Sequence, residues 1–227
     1  LTAPLLSLLH LCDSAFPIGA FAYSDGLESA TAGGAIVSAE DLRAWIAVCL
    51  DDAFGRMDGP AVWQAWAAVR DERWSAIERL DGELTALRPS AAARRSSRAM
   101  GARLLTAWRP LRPSPRLDHL AALADRGRVG PSLPIAFAAA CACAGIERHA
   151  AVEAFAYTRL SSTASAAMRL MPIGQRAAHA LLAEALDRVP PLVRALAERD
   201  APIESFTPSM DMAQMTQQFL HSRLFRS

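Results

Sequence analysis

Few residues in this chain have the type and spacing to do chemistry. Asp51 and Asp52 stand together in Asp51-Asp52-Ala53-Phe54-Gly55-Arg56, just after an apolar run. Aspartate pairs at such a place hold Mg²⁺ in all-helical enzymes that act on prenyl diphosphates. The complete carboxylate motif is missing here, as is a second metal motif. Ordinary exposed carboxylates are therefore the expected reading, with a small helical Mg-dependent enzyme as the alternative. The histidines His10, His119, His149, His179 and His221 never fall three or four residues apart, so no local metal pair forms. Cys141 and Cys143 project from different faces of a helix, a poor chelate that reads as buried packing. Ser161-Ser162 has no base beside it and reads as a helix cap. HExxH, CxxC and EF-hand patterns are missing, and all 24 basic residues are Arg, so no lysine can serve a phosphate-binding loop.

Three other places carry more information. Asp13 to Glu28 strings helix stops, turn residues and aromatics together. Pro17 cannot donate a backbone hydrogen bond, while Gly19 and Gly26 can take positive φ. Such a segment fixes a backbone path and presents Ser24, Asp25 and Glu28 beside it. Arg169 lies among apolar residues in Met168-Arg169-Leu170-Met171-Pro172-Ile173-Gly174-Gln175, just before a break. An arginine there is either neutralised by a buried partner or displayed at the kink. The end, Ser222-Arg223-Leu224-Phe225-Arg226-Ser227, sets two Arg around Leu and Phe. That is the composition of a recognition peptide, with apolar anchors flanked by guanidinium forks.

The elements that must position these residues are helical. Hydrophobic residues make up 52% of the 227 and charged residues 21%, a globular composition rich in Ala. Val, Ile and Thr never alternate cleanly, so no strand is expected. The expected fold is all-α, a single domain of roughly ten packed helices over 1–227, closed by a partner-binding tail at about 209–227. Ser38 should cap a helix whose buried face is Leu42, Trp45, Ile46, Cys49 and Phe54. Pro60 should start another, and Pro110 to Pro115 should be a loop. One helix is expected over Glu147–Leu160, and a long one over Ser162–Arg188 with a break at Pro172. Met210 to Phe225 reads as a final amphipathic stretch. A net charge of +1 provides no field for nucleic acid or an anionic membrane. No run is long enough to span a bilayer. The start has no basic region of a signal peptide, and four scattered cysteines suit a reducing cytoplasm.

Taken together, the blocks Asp13–Gly19 running to Ser24–Glu28, Met168–Gln175 and Ser222–Ser227 resemble the UreF family of urease accessory proteins. A fourth block, Arg94 to Leu105, fits at Arg94, Met100-Gly101 and Leu104-Leu105. There the family's acidic residues are replaced by Arg95, Ser96 and Ser97. The resemblance implies an all-helical dimer with no chemistry, cofactor or metal of its own. Such proteins bridge UreD (also called UreH) and the GTPase UreG on the urease apoprotein and couple GTP hydrolysis to nickel incorporation. It further implies that Glu28 and Arg169, with Asp25 and Gln175, belong to the GTPase coupling. By the same resemblance Arg223, Leu224, Phe225, Arg226 and Ser227 fold against UreD. Ser132 and Gln217 stand where family members often carry His, so no role of those His transfers and no nickel site is expected.

Overall fold

A computed structural model describes residues 2–199 and 202–226. It is all-α: twelve α-helices follow one another, and no strand occurs among the described residues. They are α1 (Thr2–Leu11), α2 (Leu27–Ala32), α3 (Ala39–Val48), α4 (Gly59–Arg70), α5 (Trp74–Leu87), α6 (Ala91–Trp108), α7 (Pro115–Asp125), α8 (Leu133–Cys143), α9 (Arg148–Leu170), α10 (Gln175–Asp187), α11 (Val189–Arg199) and α12 (Pro208–Thr216).

Two helices that are apolar nearly all round form the centre. Every residue of α8 from Leu133 to Cys141 is buried, as is all of α4 from Gly59 to Val69 except Gln64. A helix hydrophobic on all sides has to be surrounded. The two pack on each other, with α6 and α9 against them. Small residues set the spacing. A Cβ at Gly101 would sit 2.0 Å from the carbonyl oxygen of Pro131, so any larger residue would force α6 away from the start of α8. The loop entering α8 is held by buried Asp81, which accepts from the backbone N–H of Gly130 at 2.7 Å and of Ser132 at 3.0 Å. Three histidines are packed on aromatic rings: His10 on Phe16 and Trp108, His149 on Trp63, and His119 stacked on Trp74.

Ser38 caps α3 as expected, and Asp41 completes a capping box with it. Three expectations need correction. First, Pro60 stands in the first turn of α4 as expected, but no break precedes it. The chain stays helical through a π-helical segment, Cys49–Asp58, into α4. Pro60 lacks the N–H that would bond to the carbonyl of Arg56; that carbonyl instead accepts from the N–H of Glu204 at 2.9 Å, which ties the C-terminal segment to the core. Second, no boundary falls at Ser161-Ser162. The helix α9 runs unbroken from Arg148 to Leu170, because its buried stripe Val152, Phe155, Ala156, Leu160, Thr163, Ala167 continues across the serines in one helical register. The break at Pro172 does occur: Met171 is extended, as the residue before a proline should be, and α10 restarts at Gln175. Third, the final amphipathic stretch is helical only to Thr216, followed by one 3₁₀ turn at Gln217–Phe219 and then an irregular tail.

Candidate functional site

The three blocks singled out in the sequence come together. The opening segment follows α1 as a series of turns with Gly19 at φ 74°, Asp25 at 51° and Gly26 at 89°. These left-handed residues need glycine or a short polar side chain. Gly26 is needed for space as well, since a Cβ there would lie 3.0 Å from the backbone nitrogen of Gln214. Its absence lets α12 settle directly on the turn that begins α2.

The chain beyond α12 then lies between the opening segment, α2 and the end of α9. Glu28, only 5% exposed, is the receptor. Its carboxylate accepts from Gln217 Nε2 at 2.9 Å, from the N–H of Phe225 at 3.2 Å and from the N–H of Leu224. Ser24 donates to the other end of the Gln217 amide at 3.2 Å, and the N–H of Arg226 donates to the carbonyl of Ala22 at 2.7 Å. On the other flank Arg169 donates to the carbonyl of Phe21 at 3.1 Å and lies over the Phe225 ring, 4.4 Å from its centroid. Arg169 is thus displayed at the end of α9, where it clasps the tail. Phe225 lines a cavity together with Cys12, Phe16, Ile18, Tyr23, Ser162 and Arg169, among others. Ser162, expected as a cap, instead faces this cavity.

The expected site residues therefore separate. Glu28, Arg169 and Phe225 share the groove. Phe225 is 3% exposed, whereas Leu224, its neighbour, is 55% exposed, and Arg223 and Arg226 face solvent with it. Ser227 lies outside the described residues. Asp25 points away from the groove, into a polar interior where it pairs with Arg159 on α9; Asp58 pairs there with Arg88. Burial lowers the Arg159 guanidinium, but the charges of Asp25 and Asp58 outweigh it and its pKa is raised. Burial, helped by Asp25, pushes the nearby Cys49 thiol up to about 12. Gln175 is exposed at the start of α10 and does not line the groove. Asp51 meets Arg188 at 2.7 Å and Asp52 meets Arg56 at 3.2 Å, both at the surface. No set of three or more His, Cys, Asp or Glu among the described residues could hold a metal ion. The facing carboxylate cluster required by the enzyme reading is not assembled there.

One residue that organises the site was given no role from the sequence. Gln217, fully buried, links Ser24 to Glu28. A primary amide suits that position because it donates to one neighbour and accepts from the other. Its signal was weak, since it is one of three Gln between positions 214 and 218. Around the groove, exposed apolar side chains collect on the elements that form it, with Phe21, Phe219, Met212 and Leu224 all facing solvent. Phe219 is the most open at 78%.

The fold and groove define an all-α domain that seats its own C-terminal peptide across its opening segment and its longest helix. Residues 36–186 match the UreF family profile. The urease accessory protein UreF of Methylibium petroleiphilum is 34% identical over 226 residues, spanning 99% of this chain and 94% of its own. That of Azoarcus sp. is 33% identical, spanning 99% and 96%. That of Lachnoclostridium phytofermentans is 31% identical, spanning 98% of each. The chain belongs to the UreF family of urease accessory proteins. The profile covers neither the opening segment nor the tail; the full-length relatives span nearly all of both. No helix among the described residues is long and apolar enough to cross a membrane.

Proposed function

We propose that this protein is a non-enzymatic, cytoplasmic scaffold for urease maturation. It bridges UreD (UreH) and the GTPase UreG on the urease apoprotein, and couples GTP hydrolysis to nickel incorporation, acting as a homodimer with no metal or cofactor of its own. The observation that supports this reading best is the tail groove: three distant segments meet there, and an apolar rim of Phe21, Phe219 and Leu224 faces outward. Exposed aromatic and aliphatic side chains flanked by arginine are the usual makings of an interface. The tail, with Leu224, Arg223 and Arg226 outermost and Ser227 beyond, is the UreD contact. Glu28 and Arg169, together with Asp25 and Gln175, belong to the coupling with UreG. A checkpoint requires contacts that differ between nucleotide states, and a peptide seated by a few hydrogen bonds provides two states at small energetic separation.

Co-purification tests the bridge. The full chain should capture UreD, and UreG through it, whereas a chain ending at Ser222 should lose UreD. Normal capture by the shortened chain would refute the assignment of the tail. In cells, Glu28→Ala or Arg169→Ala should lower the nickel content of urease with the accessory protein still folded; unchanged nickel occupancy would count against coupling through these residues.

A further inference from the structure

Glu28 is withdrawn from water, yet none of its partners among the described residues is a cation. Its three donors are the Gln217 side chain and the backbone N–H groups of Leu224 and Phe225, all from the last stretch of the chain. A buried carboxylate satisfied only by N–H donors depends on every one of them, because each that leaves exposes the charge to a medium that cannot solvate it. With the tail in place the carboxylate has no free face to offer another protein. We infer that Glu28 is a positioning residue whose task is to seat the C-terminal tail, turning Phe225 inward as the anchor and Leu224 outward as the contact.

The geometry of consecutive residues supports this. The N–H groups of Leu224, Phe225 and Arg226 are all taken by the body of the protein, the first two by Glu28 and the third by the Ala22 carbonyl. Fixing successive backbone donors fixes the path, so neighbouring side chains must diverge. Phe225 is buried beneath Arg169 and Leu224 stands in solvent. Glu28 and the tail then form one functional unit. The partner chemistry that fits the outward side is an apolar surface with carboxylates to meet Arg223 and Arg226. This deepens the proposed function, resting on its assignment of UreD to the tail.

Two measurements test the inference, one of them independent of any partner. Hydrogen exchange on the full chain should show the amides of Leu224 and Phe225 protected. Glu28→Gln should speed their exchange about tenfold or more, since the amide keeps too few acceptor sites and sets an N–H₂ against an N–H. Exchange in α4 and α8 should stay unchanged. Phe225→Ala should release the same amides, and serves if the Glu28 variant folds poorly. Unprotected tail amides in the unaltered protein, or full protection in Glu28→Gln, would overturn the inference. The second measurement is a cycle of UreD affinities for Glu28→Ala, Leu224→Ala, and both. If Glu28 acts through the tail, the double variant binds no more weakly than Glu28→Ala alone. Additive losses would mean that Glu28 touches the partner itself and would overturn the inference. Leu224→Ala should keep the tail amides protected while weakening UreD. Tail release in Glu28→Gln with UreD capture undiminished would support the seat and refute the UreD assignment, so the two failures are distinguishable.

Discussion

Asp25 and Glu28 lie three residues apart on one turn, both largely withdrawn from water, and are satisfied in opposite ways. Asp25 meets a guanidinium, Arg159, anchored in the middle of the long helix α9 and facing Asp58 as well. Among the described residues Glu28 meets only N–H groups, brought by the C-terminal segment. The first arrangement belongs to the rigid body: opening it means moving α9. The second can open by peeling away a short peptide whose N–H groups are then solvated. Burial alone therefore does not say what a carboxylate is for. The mobility of its partners does: Asp25 is held with the rigid body, whereas Glu28 suits a seat for the tail.

The strongest way to break this comparison is Arg159→Leu. It leaves Asp25 without its cation, and losing one partner of a part-buried pair should cost about 2–3 kcal/mol of global stability, read by denaturant titration. If stability hardly changed, Asp25 would not be the structural member of the two. Gly26→Ala comes next. Its φ of 89° and the 3.0 Å approach of the Gln214 nitrogen should together cost about 2 kcal/mol. Unlike Arg159→Leu, it should also free the tail, because α12 carries the tail. Tail amides still protected in this variant would mean that the seat does not depend on α12. Arg169→Ala should be milder and local. Removing the cation above the Phe225 ring should raise tail exchange about two- to fivefold with the denaturation midpoint unmoved. A large drop in global stability would make Arg169 part of the core.

The smallest effect concerns a third carboxylate, Asp41, which has the same kind of N–H cradle as Glu28 but sits in water. The N–H of Val37, then the side chain and N–H of Ser38, hold its pKa below the ordinary value. A carboxyl whose folded pKa is depressed contributes stability above its unfolded pKa and loses it as pH falls through the folded one. The advantage of the unaltered protein over Asp41→Asn should therefore be present at neutral pH and fade below about pH 4. Thermal melts of both proteins at pH 7 and pH 3 check this; a gap that stayed constant would show that the cap works through shape and not through charge.

What could be read in advance followed the range of the interactions involved. Ser38 as a cap, the break at Pro172, and the turn-forming Gly19 and Gly26 act within a few residues, and their types announce them. The helix through Pro60 was missed because its i→i+5 register and the Glu204 N–H that reaches the Arg56 carbonyl depend on packing far along the chain. The continuous α9 was missed because two serines look like a cap unless the buried stripe on either side is known to face one core. Gln217 was visible as a departure at a position where His is common; its function became visible only with Ser24 and Glu28 on either side of it.

By itself the sequence determined the all-α class, the places where the backbone must turn, and the three segments that mark this chain as UreF-like, because local conformational preference and residue order decide these. It also brought Glu28, Arg169 and the Arg-Leu-Phe-Arg tail to notice. Only the tertiary structure decided which way each faces: Asp25 toward Arg159, Glu28 and Phe225 toward each other, Leu224 toward solvent. The physical reason is that those directions are set by hydrogen bonds between residues more than a hundred positions apart, and no local pattern records a partner at that distance.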